Sequence, residues 1–139
     1  GGARPFQVIA STAKLLTNIE IGSGAVLCDQ TIITSDVKIG VGFHLNIFAY
    51  VEHDCVIGDF VTFAPRASCN GNVVIGDGAY IGAGAVIKQG DPSKKLIIGA
   101  GAVIGMGAVV INDVPPYTTV VGNPAKPINK KNPSKYKKW

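Results

Sequence analysis

Large apolar residues recur at every sixth position over the first two thirds of the chain. The residue four places after each of them is usually small or apolar, and glycine often follows the large residue, as in Ile57-Gly58. The series without exception is Ile9, Leu15, Ile21, Leu27, Ile33, Ile39, Leu45, Val51, Ile57, Phe63, Cys69, Ile75, Ile81 and Ile87. A period of six matches neither the period of about 3.6 of an α-helix nor the period of about 2 of an ordinary strand. The pattern therefore indicates a repeat fold.

This repeat predicts an all-β fold, a parallel β-helix of about six coils with three hexapeptides in each coil. Short strands would be joined by tight turns, and the large apolar residue of each hexapeptide would point into a narrow core. Each coil would pair with the next at ~4.8 Å through backbone hydrogen bonds. Glycine suits the turns because it adopts backbone conformations that a Cβ atom disfavours. Periodicity alone does not give the handedness of the coil.

The repeat is interrupted once. The step from Ile87 to Ile98 is longer than one hexapeptide, and the excess is an insert of five residues. The segment at 89–95 reads Gln-Gly-Asp-Pro-Ser-Lys-Lys, and it is polar and rich in turn formers. We expect it to form a protruding loop, after which the frame resumes at Ile98 and Ile104.

The regular repeat is expected to end near 113–116, where Asp-Val-Pro-Pro stands, because consecutive prolines cannot continue a hydrogen-bonded ladder. We divide the chain into a lead-in at 1–8, a β-helix domain at 9–121 and a C-terminal extension at 122–139 with a lysine-rich tail.

Charge is concentrated in that tail. The chain carries +4 in total, but residues 126–139 contain six lysines and no acid, which leaves the remaining body at −2. The basic character thus does not describe a nucleic-acid-binding face, and we expect no nucleic-acid partner. The tail is interpreted either as a solvated terminus or as a segment attracted to anionic groups. No apolar run reaches the ~18 residues that span a bilayer, so membrane association would require a fused or missing region.

Three cysteines are present, Cys28, Cys55 and Cys69. An odd number without a Cys-x-x-Cys motif argues against a disulfide framework or a zinc site. Cys55 and Cys69 fall at apolar positions of the repeat, which predicts buried free thiols. These features fit a reducing, cytoplasmic compartment.

One stretch of sequence carries a specific resemblance. Residues 46–60 read Asn-Ile-Phe-Ala-Tyr-Val-Glu-His-Asp-Cys-Val-Ile-Gly-Asp-Phe, and they are followed by Gly71-Asn72-Val73 and by Gly-Asn-Pro-Ala-Lys at 122–126. Over about residues 8–128, the chain resembles the sialic acid O-acetyltransferase-like family, which includes bacterial sugar N-acetyltransferases of the NeuD and PglD type.

The resemblance implies a left-handed β-helix and a homotrimer. It also implies that acetyl-CoA, the co-substrate, binds in grooves between subunits and that no metal is needed. Family members usually carry an N-terminal βαβ domain that helps to bind the nucleotide sugar, and this chain has no room for one.

His53 is the candidate general base. Its place two residues after the inward Val51 puts it at an exposed turn, and by itself this position also fits a surface histidine beside an acid. By resemblance, His53 is the catalytic base and Asp54 orients it and raises its basicity. The only other histidine, His44, has no such support and is interpreted as structural or surface-exposed.

Other site residues are assigned by the same resemblance. Asn46 matches an asparagine near the sugar, although an asparagine that stabilises its own turn is the alternative. Gly71 follows His53 by three hexapeptides, or one full coil, so it is expected to stack beside His53 and offer its N–H to the thioester carbonyl. Ala83 and Ala100 resemble backbone contacts to the pantetheine arm, while Thr62 stands where related enzymes often place a histidine that contacts CoA. Gly71, Ala83 and Ala100 also fit ordinary turns.

The resulting hypothesis is acetyl-CoA-dependent transfer to an amino group or hydroxyl of a sugar, by direct attack with His53 as base. The acceptor would be a nucleotide-linked amino-deoxysugar used in bacterial glycan biosynthesis. The alternatives are a serine or small-molecule acetyltransferase with the same repeat and a non-catalytic trimeric scaffold. A carbonic anhydrase of this fold would need three histidines on zinc, whereas the chain has two.

Overall fold

The computed structural model describes residues 2, 3 and 5–128. Within that part of the chain there are seventeen β-strands and no helix, and accordingly no helix that could cross a membrane. The strands are β1 (Val8–Ile9), β2 (Lys14–Ile21), β3 (Val26–Leu27), β4 (Ile32–Ile39), β5 (His44–Leu45), β6 (Tyr50–Val51), β7 (Val56–Ile57), β8 (Thr62–Phe63), β9 (Ser68–Cys69), β10 (Val73–Ile75), β11 (Tyr80–Ile81), β12 (Val86–Ile87), β13 (Leu96–Ile98), β14 (Val103–Ile104), β15 (Val109–Val110), β16 (Thr119–Val121) and β17 (Lys126–Pro127).

The strands stack in parallel into three faces. Face A contains β1, β3, β5, β8, β11, β14 and β16 in that order. Face B begins with the first residues of β2 and β4 and continues through β6, β9, β12 and β15, while face C begins with the last residues of β2 and β4 and continues through β7, β10 and β13. The chain visits A, B and C in turn about six times, which confirms the predicted coil.

A register of three hexapeptides relates each coil to the next. Val8 pairs with Val26 on face A, and Tyr50 pairs with Ser68 on face B. Side chains at equivalent positions of successive coils therefore form columns parallel to the helix axis. The three columns of turns between the faces are called here the AB, BC and CA corners.

The core lies inside this prism and contains the apolar positions of the repeat from Leu27 onward, all of them buried. Small residues fill the tight space next to the corners, as at Ala49 and Ala67. Phe43 and Phe63 add an edge-to-face contact with ring centroids 5.6 Å apart. Each fully buried Leu, Ile or Phe side chain stabilises the fold by about 1.5–3 kcal/mol.

The first coil departs from this pattern. Ile9 and Leu15 occupy inward positions of the repeat but remain 41% and 39% exposed. Within the described residues the first coil has a neighbouring coil on one side only. Its apolar residues therefore pack against the second coil, and their other side stays exposed. The periodicity predicts the same inward position for all coils because it contains no information on end effects.

The five-residue insert is confirmed by the register. Before the insert, strand partners are three hexapeptides apart, as in the pair Tyr50 and Ser68. Across the insert, Tyr80 pairs with Val103 and Val86 pairs with Val109, so the spacing is longer by the five inserted residues. All three faces resume in register after the loop.

The expectation that the repeat ends at the prolines is wrong. Val114 forms a parallel bridge with Ile98, and β16 pairs in parallel with β14, so the stack continues to Val121. Pro115 and Pro116 lie at the CA corner, where a proline needs no ladder hydrogen bond. The antiparallel strand β17 then pairs with β16, so the first residues of the C-terminal extension are joined to face A. The lysine-rich tail beyond residue 128 lies outside the described residues.

Candidate active site

The BC corner repeats one backbone conformation in four successive coils. Asn18, Asp36, Asp54 and Asn72 occupy the same place in their coils, and their φ angles are 55°, 56°, 58° and 59°. Asn and Asp tolerate this left-handed region better than other residues with a Cβ atom. Asp54 thus has a structural reason to occupy its position, apart from any chemistry.

His53 and Asp54 form a hydrogen-bonded pair at the third of these corners. His53 Nδ1 lies 2.8 Å from Asp54 Oδ2, and the two side chains are 46% and 50% exposed. The hydrogen bond with Asp54 raises the pKa of His53 above 6.5, supported by the negative charges of Asp54 and Glu52 and opposed by partial burial. Because Asp54 occupies Nδ1, the neutral imidazole presents its Nε2 lone pair as the proton acceptor.

Gly71 lies against the imidazole one coil further on. A Cβ atom at Gly71 would be 2.5 Å from both Cε1 and Nε2 of His53, so only glycine leaves room for the ring in this orientation. This confirms the predicted stacking. Asn72 N donates to His53 O at 2.9 Å, whereas Gly71 N–H takes part in none of the hydrogen bonds found among the described residues. Gly71 is buried against the ring, and its N–H is left without an acceptor among these residues.

A ring packed over glycine is not in itself a catalytic signature in this fold. The Phe60 ring lies over Gly42, and the Tyr117 ring lies over Gly101, in the same close manner. The difference at His53 is the combination of an ionisable ring, a carboxylate partner and an open Nε2.

The thiols beneath this corner are buried and free, as predicted. Cys55 and Cys69 have no exposed surface, and the Cys55 thiol donates weakly to the carbonyls of His53 and Asn70 at 3.5 and 3.4 Å. The hydrogen bond with Cys55 and complete burial raise the pKa of the Cys69 thiol. The buried, protonated thiol of Cys69 is therefore a poor nucleophile.

The remaining site residues lie on other parts of the prism. Asn46 and Ala83 are at the AB corner, Ala100 is at the CA corner and Thr62 is on face A. Within this chain, the structure brings Asp54 and Gly71 to His53 but not these four residues. Ala83 and Ala100 share a position in the hexapeptide, yet the insert and the threefold repeat place them at different corners.

Asn46 and Thr62 have local surroundings of their own. The Asn46 side-chain oxygen accepts the N–H of Ile47 at 2.9 Å, which is the turn-stabilising arrangement named above as the alternative. Thr62 is the strand partner of His44, and His44 Nε2 lies 3.6 Å from the half-buried Cys28 thiol. His44 is therefore held in a local contact on face A, away from the BC corner.

The inserted loop lies at the same corner as His53, and its contribution was missed by sequence reasoning. Positions 53, 71 and 89 are each three hexapeptides apart, so they fall at the same corner in successive coils. This spacing alone could have predicted that the loop, which begins at residue 89, lies at the BC corner. Lys95 Nζ donates to the carbonyl oxygen of Asp54 at 2.6 Å, across two coils. A groove of about 630 Å³ lies between the loop and the last coil at 111–113.

Among residues 2, 3 and 5–128, no group of three or more His, Cys, Asp or Glu side chains is arranged to hold a metal ion. The BC corner holds an imidazole, a carboxylate hydrogen-bonded to it and a backbone N–H with no acceptor among the described residues.

Known proteins are similar to this chain in both sequence and fold, although no protein-family model matches the chain. The GDP-perosamine N-acetyltransferase of Escherichia coli O157:H7 is 53% identical over 93% of this chain and 58% of its own length. The structure of WeeI from Acinetobacter baumannii AYE is 60% identical, covers 86% of this chain and 57% of its own, and has a TM-score of 0.86.

Two further structures are described with ligands. The acetyltransferase domain of PglB from Neisseria gonorrhoeae FA1090, in complex with acetyl coenzyme A, is 34% identical, covers 88% and 57% of the two chains and has a TM-score of 0.82. PerB from Caulobacter crescentus, in complex with CoA and GDP-perosamine, is 29% identical, covers 90% and 58%, and has a TM-score of 0.84.

The chain thus spans somewhat less than three fifths of the length of each of these relatives. The agreement in fold confirms the left-handed coil of the parallel β-helix. The shared sequence and fold together show that the chain belongs to the NeuD/PglD-type family of hexapeptide-repeat bacterial sugar acetyltransferases.

Proposed function

We propose that this β-helix catalyses acetyl transfer from acetyl-CoA to the amino group of a nucleotide-linked amino-deoxysugar, with His53 as general base. The observation that carries the proposal is the His53–Asp54 pair packed on Gly71. The carboxylate fixes Nδ1, so Nε2, which has no hydrogen-bond partner among the described residues, is left as the proton acceptor. A positioned base of this kind contributes about 10²–10⁴-fold to the rate.

The reaction follows from these groups. The sugar amine attacks the carbonyl carbon of the thioester while His53 Nε2 takes the proton that the nitrogen loses. The tetrahedral intermediate then collapses, the C–S bond breaks, and the CoA sulfur leaves with the proton returned by the imidazolium. Asp54 stabilises the imidazolium between the two proton transfers, since the hydrogen bond and the negative charge both favour the protonated ring. No protein nucleophile is required.

Gly71 N–H is the proposed oxyanion donor. It is adjacent to the imidazole and takes part in no hydrogen bond within the described residues. A backbone N–H held in a fixed position costs no reorganisation when negative charge develops on the carbonyl oxygen.

The choice of substrates comes from the relatives. The gonococcal domain is known in complex with acetyl coenzyme A, and the Caulobacter protein is known in complex with CoA and GDP-perosamine. The latter protein is also known in forms with one histidine replaced, which is consistent with a histidine base. We therefore propose acetyl-CoA as donor and a GDP-linked amino sugar as acceptor, in the bacterial cytoplasm.

A homotrimer is part of the proposal because one subunit does not complete the site. Asn46, Thr62, Ala83 and Ala100 lie away from the BC corner that bears His53. A second copy placed against that corner would bring such residues to His53, and closed rings of identical subunits are a common way to bury flat faces. Exposed apolar side chains at the corners, such as Phe48 and Phe60, give this contact an apolar component. Light scattering is expected to give three times the monomer mass, and a monomer mass at micromolar concentration would contradict the trimer.

The function is tested by supplying the full-length protein with acetyl-CoA and GDP-perosamine and measuring release of free CoA thiol and formation of the N-acetyl sugar. Serine at the same concentration is the control acceptor. We expect acetylation of the amino sugar and none of serine. Acetylation of serine alone would favour the small-molecule enzyme, and a failure to bind acetyl-CoA by calorimetry would favour the scaffold.

A further inference from the structure

The inserted loop is built onto the catalytic corner. Gly90 N donates to Gly71 O at 2.9 Å, and Leu96 N donates to Asn72 O at 3.1 Å, so both ends of the loop pair with the coil that carries Gly71. A Cβ atom at Gly90 would meet the carbonyl of Asn72, which shows how closely the two chains approach. The loop thus begins and ends one coil beyond Gly71 and two coils beyond His53.

The loop has a defined shape. The backbones of Asp91 and Lys94 exchange two hydrogen bonds of 3.0 and 2.9 Å, and the Asp91 carboxylate accepts bonds from the N–H and hydroxyl of Ser93. The bonds from Ser93 also lower the pKa of Asp91. A tight turn of this kind fixes the direction in which the next residue, Lys95, leaves the loop.

The Lys95 side chain extends from the loop to the backbone of the His53–Asp54 pair. Its ammonium group donates to the carbonyl oxygen of Asp54 at 2.6 Å, although the two residues are 41 positions apart. Hydrogen bonds from a charged donor are shorter and stronger than neutral ones. The acceptor belongs to a residue held at a φ of 58°, so the bond fixes a peptide group that already has an uncommon conformation.

We propose that Lys95 is a positioning residue, which acts on His53 through Asp54. By holding the Asp54 carbonyl, Lys95 fixes the backbone from which the carboxylate extends to His53 Nδ1. The inference rests on the proposed function, in which the orientation of the imidazole determines the rate. Lys95 itself is not hydrogen-bonded to the ring in this structure.

The alternative role for Lys95 is only to hold the loop against the prism. The two roles differ in what they predict. An anchor for the loop alone would act whether or not Asp54 carries a carboxylate, and it would change substrate binding through the groove beside the loop. A residue that positions Asp54 should affect kcat and should lose its effect when the carboxylate is removed.

The test is a double-mutant cycle. Lys95→Met retains the length and apolar stem of the side chain, and Lys94→Met removes the charge of the exposed neighbouring lysine as the matched control. We expect Lys95→Met to lower kcat about tenfold with the KM for acetyl-CoA nearly unchanged, because small displacements of catalytic groups have large effects on rate. In an Asp54→Asn background, the same substitution should change kcat by at most about twofold.

An equal loss in both backgrounds, a loss confined to KM, or the same loss in Lys94→Met would overturn the proposal. Thermal unfolding and light scattering on each variant identify a protein that has failed to fold or assemble. Histidine NMR provides a readout that does not depend on activity. The chain has two histidines, so His44→Gln assigns the signals of a ¹⁵N-histidine-labelled sample.

In that spectrum, Lys95→Met should shift the ring nitrogen signals of His53, and Lys94→Met should leave them in place. Unchanged His53 signals in Lys95→Met would refute the positioning role even if the acceptor sugar had been wrongly chosen. If instead the parent protein transfers no acetyl group while Lys95→Met does shift the His53 signals, the proposed function fails and the positioning of the pair stands.

Discussion

The BC corner can be compared in two neighbouring coils, one of which has the candidate chemistry and one of which does not. Ser35–Asp36 and His53–Asp54 occupy equivalent positions, and the two aspartates have nearly the same φ, 56° and 58°. Asp54 N donates to Ser35 O at 3.1 Å, just as Asn72 N donates to His53 O in the next coil. The carboxylate of Asp36 accepts the Asn18 amide at 2.6 Å, whereas that of Asp54 contacts an imidazole.

The fold and the proposed reaction place different requirements on this corner. An aspartate at this corner satisfies the backbone in both coils, so its presence alone does not indicate catalysis. The corner with the candidate site differs in the residue before the aspartate, which is a histidine, and in the next coil, where Gly71 leaves space for the ring. We therefore propose that function at this corner depends on His53, Asp54 and Gly71 together.

The largest effect on activity is expected when the proposed base is removed. His53→Ala should lower kcat by about 10²–10⁴-fold, because the attacking amine loses its proton acceptor. Ser35→Ala, the same position one coil earlier, should leave kcat nearly unchanged. Acetyl-CoA affinity by calorimetry should be similar in both variants. Near-normal turnover in His53→Ala would remove His53 as the base.

A substitution at Gly71 tests the space for the ring. The φ angle of Gly71 is not in the left-handed region, so alanine is tolerated by the backbone, but its Cβ atom would collide with the imidazole. Gly71→Ala should lower kcat by about 10²-fold through displacement of the ring. In His53→Ala the ring is absent, and adding Gly71→Ala should then cause little further loss. A further loss of the same size would show that Gly71 acts independently of His53.

The charge at Asp54 can be removed without disturbing the corner, since asparagine tolerates the same φ. Asp54→Asn should lower kcat about tenfold, which is less than the loss of the base itself. Asp54 raises the pKa of His53, so its neutralisation lowers that pKa and moves the acidic limb of the kcat/KM profile to lower pH. Asp36→Asn is the control and should leave the limb where it is. A limb that moves to higher pH in Asp54→Asn would contradict the assigned pairing.

The smallest effect on activity is expected at the non-catalytic corner. Asp36→Ala loses the hydrogen bond to Asn18 and places alanine at a left-handed φ, so it should destabilise the fold by about 1 kcal/mol. Turnover at a temperature well below unfolding should not change. Asparagine tolerates this φ angle, so Asp36→Asn should lose less stability than Asp36→Ala when unfolding is measured in urea. A loss of kcat in Asp36→Ala without loss of stability would show that the second coil also belongs to the site.

The sequence predicts most of this fold because the period of six specifies both the inward positions and the coil. The interval of three hexapeptides also predicts that Gly71 lies against His53. End effects escape this reasoning, since Ile9 and Leu15 follow the repeat but lack covering neighbours. The prolines at 115–116 were misleading because they fall at a corner and not in a ladder.

The candidate site is only partly predictable. The proposed role of His53 comes from resemblance to known enzymes, and the pairing with Asp54 follows from their adjacency. The contact from Lys95 to Asp54 is not predictable from the sequence. A long flexible side chain reaches across two coils, and the periodicity of the repeat says nothing about such contacts. Residues such as Asn46 and Ala83 share a repeat frame with His53, but the frame does not say whether they belong to the same site.

The five-residue insert has a consequence for how proteins of this kind diversify. The strands before and after it keep their partners on all three faces, so the added length is absorbed entirely outside the stack. A corner can therefore gain or lose residues without repacking the interior or shifting other coils. Variation in loop length at the BC corner would alter the surroundings of His53 while the scaffold stays constant. Under the proposed function, this corner is therefore a suitable position for engineering acceptor preference.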